Sequence, residues 1–93
     1  VAEGTWAARE RLDPEIERCL ATGWTLSRCG YLVRACLRAG AFELAERPDV
    51  PIKVVINEYV ELAHGFLGPG DAAFVNAVLD RLAPRLRAPQ AAL

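Results

Sequence analysis

Apolar residues along this chain recur at helical spacing, and no segment shows the strict alternation of a half-buried strand. The clearest run is Ile52, Val55, Ile56, Tyr59, Val60 and Ala63, an i, i+3, i+4, i+7, i+8, i+11 series that predicts an amphipathic helix opened by Pro51. Val54, Val55 and Ile56 are β-branched and would suit a strand, but the sustained period and the following Glu-Leu-Ala argue for a helix. Gly65 and then Gly68-Pro69-Gly70 predict a loop. Beyond it, Asp71 is placed to cap a last helix whose inner face carries Phe74, Val75, Val78, Leu79 and Leu82, with Pro84 closing it.

Earlier in the chain a stripe of Cys29, Val33, Cys36, Leu37, Gly40 and Leu44 predicts another helix, capped by Thr25 or Ser27 and ended by Arg47-Pro48-Asp49. Arg28, Arg34 and Arg38 fall off this stripe, toward the outer surface. A glycine on the apolar stripe costs about 1 kcal/mol against alanine, so Gly40 predicts close approach of a second helix. Residues 2–12 show a weaker period through Trp6 and Arg9. Asp13-Pro14-Glu15 looks like a restart, with Asp as cap and Pro at the first helical position, although Pro14 could equally kink one continuous helix; Ile16, Cys19 and Leu20 continue the apolar face until Gly23. The prediction is an all-α bundle of about four to five helices over residues 1–87, with a flexible tail at 88–93.

Composition sharpens this picture only in places. Apolar residues make up 53% and charged residues 25% of the 93, which suits one small globular domain. No apolar run approaches the roughly 18 residues needed to cross a membrane as a helix. The net charge of −1 gives no global attraction to nucleic acid, so RNA binding has to come from a local patch. The three cysteines are odd in number and form no CxxC, which favours buried reduced thiols over a disulfide framework or a zinc site. The chain has no methionine and begins at Val1, and we expect it to be a piece of a longer protein.

Candidate catalytic chemistry is thin. His64 is the lone histidine, near a predicted helix end where the dipole favours it, and no second ligand is spaced to share a metal with it. Glu58 and Glu61 are three apart, a spacing better explained by a solvated face or a salt link than by an acid pair. No phosphate loop, nucleophile elbow or dinucleotide fingerprint occurs. No catalytic residue, cofactor or metal site is therefore expected. Asn57 and Asn76 sit mid-helix among apolar residues; we expect them to be buried amides that clip helices together, the alternative being that they face a partner, and we expect Glu58 to act structurally as well. Phe74, beside the glycine-rich loop, reads as a core residue or as an aromatic that stacks on an unpaired RNA base.

Several blocks of this pattern closely resemble the NusB family of transcription antitermination factors. They are Arg34-Ala-Cys-Leu-Arg-Ala-Gly-Ala-Phe-Glu-Leu44, Val50-Pro51, Lys53-Val54, Ile56-Asn57-Glu58, Val60-Glu61-Leu62-Ala63, Phe74-Val75-Asn76 and Val78-Leu79-Asp80, in order and at matching separations. The resemblance implies the C-terminal subdomain of a NusB-like fold, with the family's arginine-rich N-terminal half missing. It implies a cytoplasmic, non-enzymatic factor that binds boxA-type RNA of ribosomal RNA leaders, mainly through that N-terminal half. The same likeness brings in the ribosomal protein NusE and the RNA polymerase antitermination complex as partners. By that likeness Phe74 contacts RNA, while Arg34, Gly70 and Asp71 lie toward NusE. Val33 and Gly70 stand where relatives carry acids used on that side. Half a bundle would also expose apolar surface, so self-association is a further expectation. A different class of protein shares the likeness: the accessory RNA-binding domain of a ribosomal RNA cytosine methyltransferase. In that form an arginine typically follows Val-Leu, and a large α/β domain follows; here Asp80 follows Val78-Leu79.

Overall fold

The computed structural model describes residues 2–20, 25–26 and 29–91, with side chains described from Glu10 to Arg87 within that span. The described residues form four helices and no strand: α1 (Ala2–Arg18), α2 (Tyr31–Glu46), α3 (Ile52–Phe66) and α4 (Pro69–Ala91). The expected all-α bundle is thus found. The expectations for Trp6, Arg9, Gly23, Ser27, Arg28 and the tail at 88–93 lie outside the described side chains or residues.

One core joins all four helices. Ile16 of α1, Leu37 and Leu44 of α2, Val55 of α3, and Val75, Val78, Leu79 and Leu82 of α4 are all fully buried. These are largely the positions marked by the helical period. The α3–α4 pair packs most extensively, with α2 across both and α1 mainly against α2. Gly40 does what its place on the stripe predicts. A Cβ built there would lie 3.0 and 3.1 Å from the two Cδ atoms of Leu79 and 3.5 Å from the Tyr59 ring. The absence of a side chain lets α4 lie almost against the α2 backbone.

The end of α2 at Arg47 and the start of α3 after Pro51 fall where expected, while other element boundaries differ, each for a physical reason. Asp13-Pro14 does not restart a helix; α1 runs through Pro14. The ring forfeits one intrahelical hydrogen bond, and burial of Leu12, Ile16 and Cys19 on either side holds the helix regardless. Asp13 ties α1 to α2 instead. Arg38 donates to its two carboxylate oxygens from Nε at 3.2 Å and Nη2 at 3.0 Å. Neither Thr25 nor Ser27 is adjacent to α2, whose N-cap is Gly30 with no side-chain cap. Cys29 therefore precedes the helix rather than sharing a helical face with Cys36, although it is buried. Arg34 and Arg38 are half-buried, not outward: Arg34 donates to the Cys29 carbonyl at 3.3 Å and lies over the Tyr31 ring.

Of the expected loop at Gly65 and Gly68-Pro69-Gly70, Gly68 does lie between helices, but Gly65 is still within α3 and Pro69 already starts α4, at the first helical position where its missing N–H costs nothing. Asp71 is then an acid in the first turn rather than a cap. Pro84 does not close the helix either. It and Asp80 are exposed, so water can satisfy the carbonyl that Pro84 leaves unpaired. The backbone instead leaves helical geometry at Arg87, at φ −126° and ψ 18°.

Arg87 is the buried charged residue of the bundle. Its guanidinium donates to the carbonyls of Leu44 at 2.8 Å, Arg47 at 2.6 Å and Glu43 at 3.4 Å, and also to that of Val50. The last carbonyls of α2 and the turn into α3 thereby find donors, at the helix end where a cation is favoured.

Two outcomes follow from this packing. Arg87→Met strands several buried carbonyls and should lower the unfolding free energy by about 2–4 kcal/mol in a urea titration. Gly40→Ala would stabilise an exposed helix by about 1 kcal/mol. Here the Leu79 contact should reverse the sign, to a net loss of about 1 kcal/mol, and Leu79→Val in the same chain should reduce that penalty.

Candidate functional site

Helix α3 separates two surface depressions. On one flank, between α3 and α4, lies an open cleft of about 690 Å³ lined by Lys53, Val54, Ile56, Asn57, Glu58, Val60 and Asn76. This overturns the expectation of buried asparagine clips. Asn57, Glu58 and Asn76 are exposed. The amides fall just outside the buried stripes of their helices: Val55 and Ile56 lie inward beside Asn57, and Val75 beside Asn76. The sequence period holds to within one helical step, and that step decides whether a side chain is inside or out.

Lys53 gains importance from the arginines. Among the described residues, Arg11, Arg18, Arg38, Arg47 and Arg85 pair with carboxylates. Arg34, Arg81 and Arg87 donate to backbone carbonyls. Lys53 is the described cation with no such partner, and it is exposed in the cleft. Lys53 is the chain's single lysine and belongs to one of the family-like blocks, but the sequence does not mark it as an unpaired cation, because that follows from how the arginines are spent.

On the other flank, between α2 and α3, an apolar groove of about 270 Å³ is lined by Leu32, Ala35, Cys36, Ala39, Tyr59, Leu62, Phe66 and Leu67. Phe66 is 74% and Tyr31 76% exposed, and Leu32 and Leu62 are also exposed. Large apolar side chains clustered on a surface mark an interaction site more often than scattered ones do. The helical stripes do not reveal this groove because it forms between two helices. Tyr59 anchors it, its hydroxyl donating to Glu43 Oε1 at 2.9 Å. Burial, then that hydrogen bond, raise the Tyr59 hydroxyl well above its ordinary pKa. The Cys19, Cys29 and Cys36 thiols, all free, are likewise raised by burial, which leaves them poor nucleophiles at neutral pH.

The remaining site expectations gather near the start of α4. Phe74 is half-buried against the core, so much of its ring serves packing. Gly70 and Asp71 are exposed in the first turn of α4, and a Cβ at Gly70 would meet nothing within 4 Å. Arg34, in the first turn of α2, lies toward the same end of the bundle, because the groove pairs the early part of α2 with the late part of α3. Val33 is buried, so it belongs to the core rather than to a partner surface. His64 is exposed in the last turn of α3. Among the described residues no group of three or more His, Cys, Asp or Glu could hold a metal ion, and no helix is long and apolar enough to cross a membrane.

A family model described as the NusB family matches residues 1–84. The chain belongs to the NusB family. It is 47% identical over 89 residues to the transcription antitermination protein NusB of Allorhizobium ampelinum, covering 96% of this chain and 56% of that protein. The NusB of Nitrobacter hamburgensis is 48% identical over 88 residues, covering 95% of this chain and 55% of that one. Among solved structures, Thermotoga maritima NusB superposes with a TM-score of 0.81 at 34% identity, over 87% of this chain and 56% of that chain. The chain thus spans about half the length of the NusB relatives it matches, and the NusB fold of its helices agrees with a solved member.

The Tyr59 environment gives a pH-dependent outcome. A hydroxyl whose folded pKa lies above its unfolded value stabilises the fold fully below about pH 10, and that contribution is lost as pH rises beyond. Tyr59→Phe should cost about 1 kcal/mol at neutral pH. It should also flatten the fall in stability above pH 10, as read from thermal unfolding across the alkaline range.

Proposed function

We propose that this chain is the C-terminal helical part of a cytoplasmic transcription antitermination factor that binds RNA and protein and performs no catalysis. The observation that carries this reading is the match of a NusB family model to residues 1–84, together with relatives named as transcription antitermination proteins at 47–48% identity. The RNA is a boxA-type element of a ribosomal RNA operon, and the protein partner is NusE within the RNA polymerase antitermination complex. Phe74, at the start of α4, offers its accessible edge to an unpaired base. Arg34, Gly70 and Asp71 border the partner side, and the apolar groove with Leu62 and Phe66 supplies the contact area that exposed charges alone would lack. Because every described arginine is engaged within the fold, few phosphate contacts are left, and RNA affinity of this part alone is low and only weakly dependent on salt.

An electrophoretic shift assay with boxA-type RNA tests this directly. The chain alone should retard the RNA weakly at low salt, and NusE should tighten the complex. Phe74→Ala should weaken RNA binding about 5- to 50-fold, the scale of one lost stacking contact. Leu62→Glu should remove the NusE effect while leaving the weak RNA binding. Absence of any retardation at low salt with NusE present would sink the reading.

A further inference from the structure

The α3–α4 cleft gathers polar residues that the packing of the fold does not explain. Asn57 and Asn76 are exposed mid-helix residues, unfavourable for helix formation compared with alanine or lysine. Neither is engaged by a hydrogen bond among the described residues, so helix capping or clipping does not account for them. Each primary amide presents a donor pair and an acceptor side by side, the arrangement that pairs bidentately with the edge of a base, adenine above all. Lys53, in the same cleft, is the described cation that no carboxylate or carbonyl has claimed. Val54, 54% exposed, together with Ile56 and Val60, gives the cleft an apolar wall suited to a flat ring face.

We propose that this cleft is a subsite for one unpaired RNA nucleotide, with Asn57 and Asn76 reading the base edge, adenine preferred, and Lys53 holding a flanking phosphate. The cleft volume of about 690 Å³ falls in the range of small-molecule sites. Glu58 shapes its selectivity, because a carboxylate accepts from an exocyclic amine and repels an acidic peptide. An extended peptide would use the amides but leave the lysine without an anion, whereas a nucleotide uses both. The proposal rests on the RNA-binding reading and adds a base-specific contact on the flank of α3 away from the apolar groove.

The test is an NMR titration of the ¹⁵N-labelled chain with short oligo(A), oligo(C) and oligo(U) at low salt. The expected result is a shift of the Asn57 and Asn76 side-chain amide signals, largest with oligo(A). Asn57→Ala and Asn76→Ala, both at exposed positions, should each weaken oligo(A) binding about 5- to 10-fold and level the preference among bases. Lys53→Gln should weaken all three oligonucleotides alike and reduce the salt slope by about one. If the oligonucleotides shift only signals around Phe74, or if both alanine variants bind like the parent, the subsite is wrong and the broader RNA reading stands. If no oligonucleotide shifts any surface, the subsite is overturned, and the shift assay with boxA-type RNA and NusE decides the broader reading separately. Shifts at the two amides caused by an acidic control peptide and not by RNA would also overturn the proposal.

Discussion

The arrangement of this bundle depends on how closely α2 and α4 approach at Gly40. With no side chain there, Leu79 seats against the α2 backbone, and Tyr59 closes the third side. Any larger residue would push α4 outward, and α4 carries much of the buried core. That close contact sets the α2–α4 distance, and α3 then fills the space left across the pair. The α2–α3 groove and the α3–α4 cleft are the two seams of this single packing decision. Their shapes are consequences of one glycine as much as of the residues that line them.

Polar interactions then fix what packing alone leaves free to slide. Arg38 holds Asp13 and so registers α1 on α2. Arg87 ties the far end of α4 to the α2–α3 turn through four carbonyls. Arg81 reaches the Cys19 carbonyl at the end of α1. Guanidinium suits this task, because its planar fork serves several acceptors at once. The consequence for function is electrostatic. Cations spent on internal carbonyls and carboxylates are screened or neutralised, and the chain as a whole carries a net charge of −1. A nucleic-acid surface on such a chain has to rely on stacking and hydrogen bonding rather than on a broad positive field.

The helical stripes are legible in the sequence because burial forces the period: Ile56, Val55, Ala63, Val75, Leu79 and Leu82 lie inside as their spacing requires. Gly40 is legible because a glycine costs helix stability, and on an apolar stripe only a close neighbouring helix readily offsets that cost. Some helix ends are legible, such as the end of α2 at Arg47 and the start of α3 after Pro51, but those expected at Pro14 and Pro84 are not, because proline rules describe isolated helices. Pro14 and Pro84 both sit within helices whose neighbours are buried enough to hold them. The asparagines escape sequence reading for a related reason. Asn57 and Asn76 are flanked in sequence by buried residues, yet one step around a helix is about 100°, enough to carry a side chain from core to solvent. The apolar groove and the role of Arg87 depend on which helices become neighbours, and no local pattern encodes that.

Helix α3 carries three chemistries on one cylinder. Val55 and Ala63 face the core, Lys53, Asn57 and Val60 line the polar cleft, and Tyr59, Leu62 and Phe66 line the apolar groove. A helix with only one packed stripe could rotate or shift at modest cost. This one is held by the core on one side and by the Tyr59–Glu43 hydrogen bond on another. The two depressions therefore cannot move independently: a partner that seats in the groove and tilts α3 necessarily changes the spacing between Asn57 on α3 and Asn76 on α4. Ligands on opposite flanks of one helix are coupled if their binding favours different positions of that helix, and the coupling is reciprocal. A rigid α3 gives independent sites and a mobile one gives linked sites. The buried stripe that holds α3 in place is therefore what would decide whether ligands at its two flanks add or cooperate.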